Sequence, residues 1–175
     1  MIVNYQKNGW EVITQRAHGL LAAQLAANWR TKDRPARWIE FLVAVADHDD
    51  AQTELQRDDL LTPQGGPLDY KMRAFDLDHA RRTLEFAGSK SRYIALLCSL
   101  HLHFIAGERS GQNEAVRHYL DVQKKQRTIW RRHLQMSEEV SERDYRLLEW
   151  CDALSLLICQ HDDQPALRAV EISEG

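Results

Sequence analysis

The chain has 175 residues, of which 43% are hydrophobic and 28% charged, and its formal net charge is −3. This composition excludes extensive disorder and favours one globular domain over residues 1–175. Since no overall positive charge attracts nucleic acid or an anionic membrane surface, we expect neither partner and favour a small molecule or another protein. The longest apolar run, Ala153 to Cys159, is far shorter than the roughly 20 residues that cross a bilayer.

Three cysteines, Cys98, Cys151 and Cys159, lie in apolar helical runs without Cys-x-x-Cys spacing. Such cysteines are typical of small hydrophobic core residues. We interpret them as reduced thiols and expect a cytoplasmic protein.

Two short β-prone runs at the N-terminus flank Asn8-Gly9, a dipeptide typical of tight hairpin turns. We predict a β-hairpin over residues 1–14 that lies against a helical body. A first amphipathic helix follows from about Thr14 to Trp29, with His18 in its first turn. Its apolar row is predicted to consist of Ala17, Leu21, Leu25 and Trp29.

A second helix begins near Pro35, and its broad apolar face runs to the polar triplet His48-Asp49-Asp50. Residues 51–74 then form a long connection that contains Leu-Thr-Pro-Gln-Gly-Gly-Pro-Leu. A loop of this length in a compact domain is usually functional or mobile, so we predict a lid.

Four further helices are predicted over residues 76–86, 91–107, 113–135 and 137–159, which gives an all-α fold of six helices. The fourth helix carries His101 on its apolar row, whereas His103 points elsewhere. The fifth helix is polar, so its basic run between residues 124 and 132 is interpreted as a solvated face rather than a nucleic-acid site. The tail over 162–175 carries no strong signal.

Asp152 lies within the apolar run Trp-Cys-Asp-Ala-Leu-Ser-Leu-Leu of the last helix. Burial of an unpaired carboxylate is costly, so Asp152 needs an arginine or lysine, backbone and serine donors, or a metal ion. His48 and Asp49 leave the same choice open, because both residue types are also common as solvated side chains near helix ends. Imidazole nitrogen and carboxylate oxygen together suit divalent first-row metals, and Asp50 could orient a ligand.

In chain order these residues form the pattern H…HD…D, with His18, then His48-Asp49, then Asp152 within Cys-Asp-Ala-Leu-Ser. Over most of the chain this pattern resembles the HD-domain superfamily of metal-dependent phosphohydrolases. The segments Ile-Thr-Gln-Arg-Ala-His-Gly-Leu-Leu and Trp-Cys-Asp-Ala-Leu-Ser-Leu are also similar to those of a bacterial family of unknown function, which implies no activity.

The resemblance implies an HD-domain-like helical bundle in which His18, His48, Asp49 and Asp152 hold a divalent ion. Manganese, iron, nickel, cobalt, magnesium and zinc all stay open. Such an ion activates a water molecule for attack on a phosphoester. Relatives with two ions add histidines from middle helices, so His101 is the first candidate for a further ligand, and the number of ions is one or two.

A small phosphorylated molecule or nucleotide as substrate needs cationic and polar groups near the ion. Lys90 and Arg92 at the start of the fourth helix, Lys71 and Arg73 after the long loop, and Gln64 within it are the candidates.

The predicted function is therefore metal-dependent phosphohydrolysis, with Asp49 and Asp50 as the catalytic carboxylates. Two alternatives stay open: an HD-type di-iron oxygenase, which would need iron and a change of valence, and a non-catalytic HD-like domain that binds a ligand or partner. Homo-oligomerisation is also left open.

Overall fold

The structure is a computed structural model that describes residues 1–50, 60–109 and 113–161, without the side chains of 108 and 109. Within these ranges a two-stranded hairpin precedes six α-helices, which confirms the predicted fold class. Residues 51–59 of the predicted long loop and the tail 162–175 lie outside the described residues.

Most of the helices begin where polar side chains cap them. The strands are β1 (Ile2–Gln6) and β2 (Gly9–Ile13), and the helices are α1 (Gln15–Ala27), α2 (Trp38–Asp47), α3 (Leu77–Lys90), α4 (Arg92–Arg109), α5 (Glu114–Leu134) and α6 (Glu138–Cys159). Thr14, Asp76, Asn113 and Ser137 each accept hydrogen bonds from first-turn amides, as N-cap residues do. Helix α3 continues past its predicted end at 86, because Ala87 is buried in the core.

The hairpin packs against the end of α6. Ile2 pairs with Ile13 in the register and is buried on the inner face. On the same face Nδ2 of Asn4 donates a hydrogen bond to the carbonyl oxygen of Cys159 at 2.7 Å. The N-terminal strands therefore cover the end of α6.

Residues 60–74, the described part of the predicted lid, contact the hairpin and the end of α6. Residues 62–66 form a turn in which Gly65 has a φ of +83°, a conformation that favours glycine. The amide of Val3 donates to Asp69 at 2.9 Å, and Nζ of Lys71 donates to Oε1 of Gln160 at 2.7 Å. This half of the segment is therefore anchored to the hairpin and to the end of α6.

Helix α4 is the central helix. All ten residues from 93 to 102 are buried, and α4 packs against α2, α3, α5 and α6. Helix α1 packs against α2 and α6, so α1, α2, α4 and α6 form the body that surrounds the candidate site. None of the helices in the described ranges combines the length and hydropathy needed to span a bilayer.

The predicted apolar row of α1 is wrong by one position. The buried residues are His18, Gly19, Ala22 and Ala26, whereas Ala17 is exposed. A Cβ atom at Gly19 would lie 2.5 Å from the carbonyl oxygen of Ala46, so glycine lets α1 approach the backbone of α2. The prediction followed large apolar side chains, but this contact depends on small ones and places His18 at the helix interface.

Helix α5 is only partly the solvated face that its composition predicts. Arg127 is buried, and its Nη1 donates to the carbonyl oxygen and to Oγ of Ser99 on α4 at 3.3 and 3.2 Å. Arg131 donates to Ser141 and Glu142 on α6 at 2.8 and 2.9 Å. These two arginines of the basic run therefore fasten α5 to the body.

Candidate metal centre

Five residues predicted to be metal ligands come together between four helices. His18 comes from the first turn of α1, His48 and Asp49 follow the last turn of α2, His101 lies in the middle of α4, and Asp152 lies in α6. The three histidines and Asp152 are buried. The fold thus collects imidazole and carboxylate groups from distant parts of the sequence.

One oxygen of Asp152 faces two imidazole rings. Oδ1 of Asp152 lies 2.9 Å from Nε2 of His18 and 3.1 Å from Nε2 of His48. The two rings are perpendicular, with their centroids 5.1 Å apart. One nitrogen or oxygen atom from each of the three residues lies within 4.8 Å of the others, so all three could hold one metal ion.

The backbone fixes the tautomer of His48. Its Nδ1 lies 2.7 Å from the carbonyl oxygen of Val45, which can only accept a hydrogen bond, so Nδ1 carries a proton. In the neutral ring Nε2 therefore presents a lone pair towards the carboxylate of Asp152. This arrangement is favourable only if Nε2 is also protonated or if a cation lies between the two groups.

The charges around His48 agree with this conclusion. Burial by itself would lower the pKa of His48, but the carboxylates of Asp152 and Asp49 raise this pKa to about 9. The site therefore attracts a positive charge, which a proton on His48 or a metal ion can supply.

A second group of possible metal ligands, His48, Asp49 and His101, adjoins the group of His18, His48 and Asp152. Nε2 of His101 lies 3.5 Å from Oδ1 of Asp49 and 4.0 Å from Oδ2 of Asp152. Nε2 of His48 lies 3.8 Å from Oδ2 of Asp49. Since His48 has only one free lone pair, it can bind one ion, and any second ion would depend on His101 and the two carboxylates.

His101 is buried with both ring nitrogens lacking a hydrogen-bond partner among the described residues. Nδ1 of His18 also lacks a hydrogen-bond partner among these residues. Buried polar atoms in native proteins almost always have partners, and those that lack one often mark a bound ion or water molecule. His103, in contrast, is exposed, so His101 is the inward-facing histidine of α4.

Both carboxylates of the centre remain anionic. Burial favours their neutral forms, but the charge of His48 outweighs it and holds the pKa values of Asp49 and Asp152 well below their usual range. Two carboxylates balance the charge of a divalent cation, and oxygen and imidazole donors suit first-row metals. The donor set therefore fits a divalent ion.

The centre is most open on the carboxylate side. The side chain of Asp49 is 20% exposed, whereas that of His101 is 2% exposed. Nε2 of Gln15 donates to Oδ2 of Asp49 at 3.2 Å, and Nε of Arg16 donates to Asp50 at 3.1 Å. The start of α1 therefore orders the end of α2, with Asp50 held by Arg16.

Two of the residues predicted to bind substrate have partners outside the five-residue centre. Nζ of Lys90 lies 3.0 Å from Asp47, and Nζ of Lys71 binds Gln160, eight residues beyond Asp152 on α6. Gln64 and Arg92 are exposed, and Arg73 lies half-buried before α3. The contacts of Lys71 and Lys90 direct their charges to Gln160 and Asp47 rather than to the five-residue centre.

Sequence reasoning missed two residues beside the centre. Gln15, which binds Asp49, precedes His18 by three residues and so shares its side of α1. Tyr145 precedes Asp152 by seven residues, or two helical turns, and its ring lies 6.3 Å from that of His101 between centroids. Helical spacing from the predicted ligands was the signal that could have identified both.

No curated protein and no solved structure matches the chain. The model of one family, described as "Protein of unknown function (DUF3891)", matches residues 1–175. This description names no activity, so it adds no chemistry to the geometry of the centre. Because the match covers the full sequence, the chain belongs to the DUF3891 family.

Proposed function

We propose that this protein binds a divalent metal ion between His18, His48, Asp49, His101 and Asp152 and uses it to hydrolyse a small phosphorylated molecule. The observation that carries the proposal is the pair of Nε2 atoms, 2.9 and 3.1 Å from one oxygen of Asp152. Because Nδ1 of His48 is bound to Val45, these atoms meet as ligands around a cation would.

The structural alternatives for Asp152 have less support. Its carboxylate contacts imidazole rings, and no arginine or lysine among the described residues forms an ion pair with it. The hydroxyl of Ser155 donates to the backbone carbonyl of Asp152 rather than to its carboxylate. These contacts favour a metal over a conventional buried ion pair.

The order of the ligands supports the reaction class, because it resembles that of HD-domain phosphohydrolases. A divalent ion bound here would polarise a phosphoryl oxygen and lower the pKa of a bound water molecule. The buried histidines hold the inner side of the centre, while Asp49 is oriented by Gln15 on the more exposed side. We therefore expect Asp49 to hold the ion at the edge where water and substrate enter, because its lowered pKa suits a metal ligand better than a proton acceptor.

Arg16 gives this edge a positive charge that the sequence analysis did not include. Asp50 holds the guanidinium through Nε, so the Nη atoms can donate to phosphoryl oxygens. We accordingly assign Asp50 the role of positioning Arg16. The di-iron alternative gains no specific support, because these imidazole and carboxylate ligands suit other divalent first-row metals as well as iron.

Phosphate release from a panel of nucleotides and sugar phosphates tests this proposal. The metal-loaded protein should hydrolyse at least one member of the panel, and chelation should stop the reaction. Asp49→Asn should lower kcat by about 100-fold or more, because it removes an anionic ligand of the ion. The control Tyr93→Phe, which removes a hydroxyl bound to Asp144 outside the centre, should keep the wild-type rate.

Two results would contradict the proposal. One is a metal-loaded wild-type protein that releases phosphate from no member of the panel. The other is an Asp49→Asn variant with the wild-type rate, because hydrolysis would then not depend on the centre.

A further inference from the structure

Tyr145 has a buried hydroxyl without a hydrogen-bond partner among the described residues. The residue is 6% exposed, and its ring contacts that of His101. A buried hydroxyl without a partner is unfavourable by comparison with one that is bonded. The hydroxyl therefore needs an acceptor atom that the described residues do not provide.

Tyr145 lies beside the metal centre. Its ring contacts that of His101 on α4, and it shares one face of α6 with Asp152, which is two helical turns further along. A phenol hydroxyl carries its proton at neutral pH, so it is available as a donor.

We propose that the hydroxyl of Tyr145 donates a hydrogen bond to an oxygen of the phosphoryl group that is held at the centre. This inference rests on the proposed function and adds a substrate-contacting residue to it. The class of ligand is a tetrahedral oxyanion, because the phosphoryl group of the proposed substrate presents oxygens that accept hydrogen bonds. Since packing fixes the tyrosine before the ligand arrives, little reorganisation is needed for this bond.

Tyr145 could instead support the metal ligand His101. A buried water molecule could join the hydroxyl of Tyr145 to Nδ1 of His101, which also lacks a partner in the described chain. Tyr145 would then support a metal ligand, and its loss would weaken metal binding. Our proposal instead places the effect on phosphate binding.

The test compares Tyr145→Phe with Tyr119→Phe. Tyr119 lies on α5 and is also buried with a hydroxyl that lacks a partner within the described ranges, so it is a matched control. Calorimetry would measure the affinity for manganese, and then the affinity of the manganese-loaded protein for inorganic phosphate. The melting temperature without either ligand would be measured in parallel.

Tyr145→Phe should weaken phosphate binding by about tenfold and leave manganese affinity unchanged, because it removes one hydrogen bond to an anion. Its melting temperature without ligand should stay the same or rise, since a buried polar atom without a partner is lost. Tyr119→Phe should show the same thermal response and unchanged phosphate affinity.

The inference fails if Tyr145→Phe binds phosphate as the wild type does, or if it loses manganese affinity instead. In either case the proposed hydrolase activity would stand. If the manganese-loaded wild type bound no phosphate, the inference would be contradicted, whereas the phosphate-release assay alone decides the proposed function.

Discussion

Helix α6 carries two buried carboxylates, Asp144 and Asp152, with different partners. Oδ2 of Asp144 accepts a hydrogen bond from the hydroxyl of Tyr93 at 2.8 Å, and Oδ1 accepts one from Arg143 at 3.0 Å. A phenol hydroxyl and a guanidinium both carry protons at neutral pH. Oδ1 of Asp152 instead faces two imidazole nitrogens, one of which bears a proton only when His48 is charged.

This difference separates a structural carboxylate from a candidate ligand. The two residues have the same type, share one helix and are both buried. The site of Asp144 is complete without any further group. The site of Asp152 adjoins His18 and His101, whose ring nitrogens include three without partners in the described chain. The hydrogen-bonding capacity of the partners, rather than burial, therefore distinguishes the candidate metal centre from the structural carboxylate.

The largest expected effect is on metal affinity. Asp152→Asn should weaken binding of a divalent ion by at least about 100-fold, because it removes an anionic ligand, whereas loss of a supporting residue costs 10- to 100-fold. Asp144→Asn, an equally buried change on the same helix, should keep the wild-type affinity. Calorimetric titration with manganese checks both. If both variants lost manganese affinity equally, the hydrogen-bonding partners of a carboxylate would not distinguish a metal ligand from a structural residue.

Gly19→Ala should have an intermediate effect on stability and metal affinity. This effect should involve the site of Asp152 and not that of Asp144. The added methyl group would lie 2.5 Å from the carbonyl oxygen of Ala46, so α1 and α2 must separate. We expect a loss of about 1–3 kcal/mol in the free energy of unfolding, together with weaker metal binding as His18 shifts. Urea denaturation and calorimetry would measure these changes.

The matched control is Gly88→Ala in α3, where a new Cβ meets nothing within 4 Å. This change should stabilise the protein by about 0.4–1 kcal/mol, since alanine favours a helix. If Gly19→Ala were as stable as the wild type, the close approach of α1 to α2 would not be important for the site.

Tyr93→Phe should have the smallest effect, confined to the structural carboxylate. Loss of the hydrogen bond to Asp144 should lower the free energy of unfolding by about 1 kcal/mol. Metal affinity should not change. Urea denaturation in the presence of a chelator checks the first expectation, and weaker manganese binding by this variant would argue that the two sites are coupled.

The sequence was sufficient to predict the helices, because caps such as Ser137 and Asn113 and the apolar spacing are local signals. Asp152 was a candidate ligand because a carboxylate in an apolar helix needs compensation, and the other four residues of the centre were candidates because their order resembles that of the HD-domain superfamily. The buried row of α1 was mispredicted, because Gly19 and Ala22 pack closely without being large hydrophobic residues.

Long-range partners could not be predicted from local patterns. Lys90 binds Asp47 and Lys71 binds Gln160, contacts that depend on how separate helices meet. Arg127 looks like part of a solvated basic run, yet Ser99 provides a buried acceptor for it. The substrate-binding residues stay predictions, because charge and turn position do not determine where a flexible side chain points.

Anomalous X-ray diffraction from crystals grown with zinc would show whether His18, His48 and Asp152 hold a metal ion, because it locates the ion as well as detecting it. We expect a peak in contact with Nε2 of His18, Nε2 of His48 and Oδ1 of Asp152, at ligand distances of about 2.0–2.2 Å. A zinc-containing crystal with no peak among these atoms, and with His48 still hydrogen-bonded to Asp152, would contradict this expectation.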